Sequence, residues 1–218
     1  MWCIASITQQ YRERMYALLD LYQEDYDGRN PVVCVDEKSK QLIEDVRGGM
    51  PLKPGSTAKY DYEYKRNGTR NIFVAVEPLA GMRKIKVTKT RKKNDFAGFI
   101  KELVGEYPKA EKIRIVLDNL NTHFSSSFFE AFSEREAKRI LRKIEFYYTP
   151  KHGSWLNMAE IEINIMSREC LDRRIGQESI LTSQLNYWTR QRNIAKKRIH
   201  WSFTRKNADT KLSKHYVA

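Results

Sequence analysis

VVCVDE, residues 32–37, follows Pro31 and runs from three valines and a cysteine straight into two acids. An apolar run this short and this rich in β-branched residues has the composition of a strand covered on both faces. KIRIVLDN, residues 112–119, repeats the pattern and again delivers an aspartate. Open α/β sheets gather their ligands beyond the carboxyl ends of strands. Reading Asp36-Glu37 and Asp118-Asn119 as two such ends places acids at one edge of a common sheet.

Outward from these strands, NIFVAVEP (71–78) and MRKIKVTKT (82–90) read as a hairpin around Leu79-Ala80-Gly81. In the second arm bases alternate with apolar residues, so one face is core and the other basic. IEFYYTP (144–150) is the last strand. Residues 8–26 place Tyr11, Met15, Leu18, Leu19 and Tyr22 at helical spacing. Asn94 can cap a helix that runs to Tyr107 and is closed by Pro108. Residues 126–143, 155–174 and 177–197 read as further helices. The stretch 45–70, with four glycines and two prolines, reads as a long irregular excursion with room for a short pairing strand. Three strands, a helix, a strand, a helix, a strand and then helices define an α/β fold: a mixed five-stranded sheet with helices on both faces.

At 218 residues, 41% hydrophobic and 31% charged, the chain can bury a core as one domain, which excludes a disordered or fibrous protein. Cys3, Cys34 and Cys170 are odd in number and form no CxxC pair, against a disulfide framework or a zinc ribbon. No signal peptide opens the chain and no apolar run approaches the roughly 20 residues of a membrane span, so a membrane partner is not expected and the cytoplasm is the default compartment. The formal net charge is +13. Residues 83–93 carry +7 and residues 188–218 carry +8, so the remainder is slightly acidic. Basic charge confined to two segments points to nucleic acid.

A third acid is available in the helix after the last strand, Glu160 or Glu162. These two differ by about 200° around a helix, so only one can face the strand-end acids. Converging carboxylates without a His or Cys cluster suit Mg²⁺ or Mn²⁺, and two such ions can activate a water or a 3′-hydroxyl and stabilise the leaving oxygen of a phosphodiester. Against this stands the common fate of such acids, with Asp36 and Asp118 capping turns after strands and Glu160 facing solvent on its helix.

CVDEKSKQLI around Asp36, IVLDNLNTH around Asp118 and YYTPKHGSWLNMAEIEI around Glu160 occur in one order, joined by DYEYKRNGTRNIFVAVEPLAGMR and closed by IHWSFTRKNADTKL. Together they resemble the three catalytic segments of the IS630 group of bacterial transposases, in the Tc1/mariner superfamily, over roughly residues 30–212. The resemblance implies an RNase H-like fold and a DDE triad of Asp36, Asp118 and Glu160, selecting Glu160 over Glu162, with two divalent ions, Mg²⁺ or Mn²⁺, held by those acids. It divides the chain into a connector with a helix (1–30), a catalytic domain (31–212) and a tail (213–218). Asp118 and Glu160 stand 42 positions apart, more than is usual in the superfamily, so residues 126–143 would contain extra turns.

The same resemblance implies DNA as partner, as transposon ends and a TA target, a homodimer in a synaptic complex, and action on the bacterial nucleoid. The family's helix-turn-helix region for transposon ends has no counterpart ahead of Pro31, so a separately encoded helix-turn-helix protein, or a truncated relic, is the expectation. Lys89, Arg91, Lys92 and Lys93 form one candidate DNA-binding group; Lys151, His152 and Ser154, before the Glu160 helix, form another. Glu37, Asn119 and His123 are candidates for supporting the acids. Trp155 could stack on a base, while Trp188, Trp201 and Phe203 are expected to pack the carboxyl-terminal region onto the sheet. The function expected is metal-dependent hydrolysis and strand transfer; the alternatives are a catalytically silent DNA-binding regulator and an RNase H-like nuclease without strand transfer.

Overall fold

The computed structural model describes residues 6–48, 53–57, 62–120 and 122–217. Cys3, parts of the 45–70 excursion, Asn121 and the last residue of the tail lie outside them. Five strands, β1 (Val32–Asp45), β2 (Tyr64–Glu77), β3 (Met82–Thr88), β4 (Ile113–Leu117) and β5 (Ile144–Tyr148), form one sheet in the order β3-β2-β1-β4-β5. β1, β2 and β3 are antiparallel neighbours, while β4 joins β1 in parallel and β5 joins β4 in parallel. The mixed sheet expected from the element order is therefore present.

Strand alternation sorts the core into two layers. Val33, Val35, Phe73, Ala75, Ile113, Ile115 and Leu117 face α2 (Lys93–Glu106), α3 (Ser126–Ala131) and α4 (Glu134–Leu141). Cys34, Ile72, Val74, Val76 and Val116 face the other way, toward α1 (Gln9–Leu21), α5 (Ala159–Met166), α6 (Glu178–Ile194) and α7 (Arg205–Leu212). α1, in the segment expected as a connector, packs into this second layer through Met15, Leu18 and Leu19. Trp201 and Phe203 close over it, and Trp188 joins the adjoining cluster under α6. The two ends of the described chain meet beside α1: Ile7 bridges Tyr216, with the Ile7 amide donating to His215 O at 2.7 Å.

Several boundaries differ from expectation, each for a local reason. β1 continues eight residues past Glu37, because residues 38–45 pair with 64–72 of β2 as a twisted ribbon bulged at Gln41–Ile43. Its faces are largely polar, so no apolar run announces it, and β2 absorbs the end of the supposed irregular excursion. α1 stops at Leu21, and Tyr22 turns its hydroxyl into the core to donate to Leu156 O at 2.8 Å. α2 starts at Lys93, and Asp95 rather than Asn94 caps it, accepting the Lys92 amide at 2.9 Å.

The 126–143 helix is two, α3 and α4, broken at Phe132-Ser133 where the Ser133 hydroxyl accepts the Glu136 amide; these supply the extra turns between the second and third acids. The 155–174 helix is a short 3₁₀ turn at Ser154–Leu156, then α5, then π-helical residues Ser167–Leu171. At the β2–β3 turn, Gly81 has φ +70°, and a Cβ there would sit 2.6 Å from the Lys196 carbonyl carbon, so only glycine lets α6 end against the hairpin.

Candidate active site

The β1–β4 register sets two acids side by side. Val32 lies opposite Arg114, Val33 opposite Ile115 and Cys34 opposite Val116; carried two residues further, the register brings Asp36 level with Asp118, at the strand spacing of about 4.8 Å. Asp36 shares the face of Cys34, which is the face that carries α5, while Asp118 lies past the end of β4 and turns one carboxylate oxygen toward His123. Asp36 does not end its strand as expected: it sits within β1, opposite Val74. Asp118 is the first residue beyond β4. The sheet edge arises because β4 and β5 stop there while β1 and β2 continue.

Glu160 is the second residue of α5. Two buried anchors place that helix. Asn157 donates its amide to Val35 O at 2.9 Å and accepts the Ala159 amide at 3.1 Å. Tyr22 holds the preceding turn through Leu156 O. Asn157 thus ties the start of α5 to the strand residue just before Asp36. Glu162, two residues on, faces away as the helical angle requires. It is fully buried between Arg83 (Nε–Oε1 2.9 Å, Nη2–Oε2 3.1 Å) and Arg192 (Nε–Oε1 2.5 Å, Nη2–Oε2 3.2 Å). Glu162 therefore belongs to a structural lock, leaving Glu160 as the acid of α5 on the open side.

Burial pushes the Asp36 carboxyl up to about 7, and the charges of Glu37, Asp118 and Glu160 push the same way; the Glu37 amide, donating to Asp36 Oδ1 at 2.8 Å, opposes them. On the other face of the sheet, His123 is 1% exposed and packs its ring on Phe96. Its Nδ1 lies 2.5 Å from Asp118 Oδ1 and its Nε2 lies 3.3 Å from Glu37 Oε2. Neither approach is aligned as a hydrogen bond, and both oxygens are otherwise buried without a partner; the contacts are ionic. Burial lowers the imidazole pKa, but Asp118 and Glu37 outweigh it and raise it to about 9. His123 is thus a charged clamp between the two carboxylates.

Among the described residues, no three His, Cys, Asp or Glu side chains are gathered closely enough to hold an ion as they stand. The three expected acids lie on β1, just after β4 and on α5, close enough for the charges of Asp118 and Glu160 to act on Asp36 but not gathered as a ligand cage. The donor chemistry nevertheless fits a hard divalent cation: the acids are carboxylates that crowd one another, and burial together with the charges of Glu37, Asp118 and Glu160 makes the ionised Asp36 costly without a cation beside it.

The first basic group borders the site at the start of α2, but not as a free patch. Arg91 lies 3.7 Å from Glu37 and Lys93 2.6 Å from Glu130. Lys89 and Lys92 are exposed. The second group, Lys151, His152 and Ser154, is exposed on the other side, after β5. Asn119 is exposed beside Asp118. Trp155 is 39% exposed and stacks on Trp201 at 6.4 Å between ring centroids. Asn157 was not singled out from sequence, although its spacing three residues ahead of Glu160, at a helix start, is the kind that capping side chains favour.

A five-stranded mixed sheet in this order, with acids from β1, β4 and α5 at one edge, defines a domain of the RNase H-like class. Residues 31–182 match the family model described as DDE superfamily endonuclease, and the chain belongs to that family. Among solved structures, the chain is similar to the Mos1 mariner paired end complex with Mn (16% identity over 90% of this chain and 62% of that one, TM-score 0.56). It is likewise similar to the paired end complex with Mg (14%, 100% and 66%, TM-score 0.58) and to a pre-cleavage Mos1 transpososome (15%, 90% and 64%, TM-score 0.57). At these identities the likeness is one of fold, and the chain spans less than two thirds of the length of each. No curated protein matches the chain.

Proposed function

We propose that this chain is the catalytic domain, residues 31–212, of a DNA transposase of the IS630 group, which hydrolyses phosphodiester bonds and transfers strands with divalent metal. The observation that supports the reading is the parallel register of β1 and β4, which continued past Cys34 and Val116 brings Asp36 level with Asp118, together with the charges of Asp118 and Glu160 acting on Asp36. In this reading these three acids hold Mg²⁺ or Mn²⁺, expected as two ions. Bound there, the cations would lower the pKa of a water or 3′-hydroxyl and offset charge on the leaving oxygen. The protein's own side chains orient the acids: His123 clamps Asp118 and Glu37, and Asn157 holds the start of α5 against β1. Lys89, Lys92 and Lys151 supply exposed cations for phosphates.

The family match supports the endonuclease chemistry, and the Mos1 structures, one of them a paired-end complex with left transposon end, support DNA as the substrate. Transposon ends and a target duplex, a homodimeric synaptic complex, a separately encoded helix-turn-helix partner and action on the bacterial nucleoid belong to the same proposal. Among the described residues no helix is long and apolar enough to cross a membrane.

Purified protein incubated with supercoiled plasmid and Mg²⁺ or Mn²⁺ is expected to nick it, and Asp118→Ala, folded by circular dichroism, is expected not to. Equal nicking by both would sink the triad. Hydrolysis without joining of a transposon-end oligonucleotide to target DNA would identify a nuclease without strand transfer. Equal inhibition of a related transposition reaction by both chains would identify a silent regulator.

A further inference from the structure

A groove of about 380 Å³ opens beside the acids, between α1 and the turn after β5. Gln10, Tyr11 and Arg14 of α1 form one wall, Lys151 and His152 the other, and Asn119, next to Asp118, closes the inner end. The cations here are available. Arg14 and Lys151 have no ion-pair partner among the described residues, whereas Arg83, Lys84, Lys86, Arg91 and Lys93 of the other basic segment all face acids.

The turn that presents Lys151 is built rather than loose. His152 has φ +62°, a left-handed conformation that costs a non-glycine residue on the order of 1 kcal/mol. Gly153 donates its amide to Pro150 O at 2.9 Å, and a Cβ at 153 would lie 2.5 Å from Pro150 Cγ. The opposite wall is tied to the site as well, since the Trp155 indole donates to the Tyr11 hydroxyl at 3.2 Å just before α5 begins.

We propose that this groove takes the phosphates of a DNA strand as it runs to the acids, with Arg14 and Lys151 as its cationic contacts and Asn119 at the end beside Asp118. The inference rests on the reading of the acids as a DNA-cleaving site, and it adds α1 to the substrate-binding surface.

The test is fluorescence anisotropy of short fluorescein-labelled DNA of random sequence, duplex and single-stranded, without divalent metal, from about 50 to 200 mM salt. Removing two phosphate contacts in the double variant Arg14→Gln/Lys151→Gln should weaken binding by about ten- to a hundredfold near 100 mM salt. The slope of log affinity against log salt should flatten by about 1.8 for duplex or about 1.4 for single strand. Lys109→Gln/Lys112→Gln makes the same charge change ahead of β4, at the opposite edge of the sheet, and should leave the slope near wild type. Lys151→Gln alone, at an exposed position, should show about half the slope change, which keeps the test valid if the Arg14 variant folds poorly. A wild-type slope in the double variant, or an equal loss in the control, would overturn the groove while leaving the cleavage site standing. Failure of the wild type to bind either DNA at low salt would overturn both.

Discussion

Asp36 occupies a position that favours the protonated acid. Its carboxyl sits near 7 in the metal-free fold, against about 3.9 in an unfolded chain. The native state therefore binds this proton more tightly, and stability is lost as pH rises from about 4 to about 7, with no effect below both values. Asp36→Asn removes that penalty. In chelator, the variant is expected to exceed wild type by a few kcal/mol at most at pH 8 and to match it at pH 3, measured by urea unfolding. Equal stability at both pH values would show that Asp36 is not disfavoured by its surroundings.

Between elements, the decisive joint is Asn157, which fastens the start of α5 to β1. Asn157→Ala leaves Val35 O unpaired in the interior and is expected to cost about 1–3 kcal/mol. Because Glu160 moves with α5 while the α1 groove stays in place, DNA cleavage well below the unfolding temperature should fall more than DNA binding does. Unchanged cleavage would mean that α5 is placed by other contacts.

This joint also marks where the sequence could be read and where it could not. VVCVDE and KIRIVLDN announce buried strands because both faces are apolar, and their acids follow directly. The ribbon of residues 38–45 and 64–72 was illegible because a solvated pair of strands carries no hydrophobic run, which is why Asp36 looked like a strand end. His123 is a candidate from sequence, but its position between Asp118 and Glu37 depends on β1 and the loop after β4 coming together, which no local spacing encodes. Glu160 and Glu162 could be separated by helical angle, but the structural use of Glu162 needed Arg83 and Arg192 from distant segments.

Across the whole molecule, that last cluster joins β3, α5 and α6 into one body. Glu162→Gln leaves two guanidinium groups facing a neutral amide in the interior and is expected to cost about 3–5 kcal/mol. Glu160→Gln, at a half-buried position, should change stability by only about 0.5 kcal/mol yet abolish cleavage. Thermal unfolding beside a nicking assay separates the two, and the opposite pattern would exchange their roles. The charge of the whole chain is redistributed in the same way. Much of the first basic segment is neutralised by acids of α2, α3 and α5, and Arg205 of the second pairs with Asp20. The sequence total of +13 thus overstates the field near the site, and the cations left available lie partly in α1, outside both basic runs.

The bridge between Ile7 and Tyr216 makes the described chain nearly a closed loop. A short peptide joining the two ends would therefore permit circular permutation, with new termini opened at the exposed turn around Lys109 without severing a paired strand. By the same geometry, the Ile7–Tyr216 bridge lies next to Ser6 and Thr8 at the outer rim of the groove, so a break in that bridge would loosen the wall along which DNA is proposed to enter.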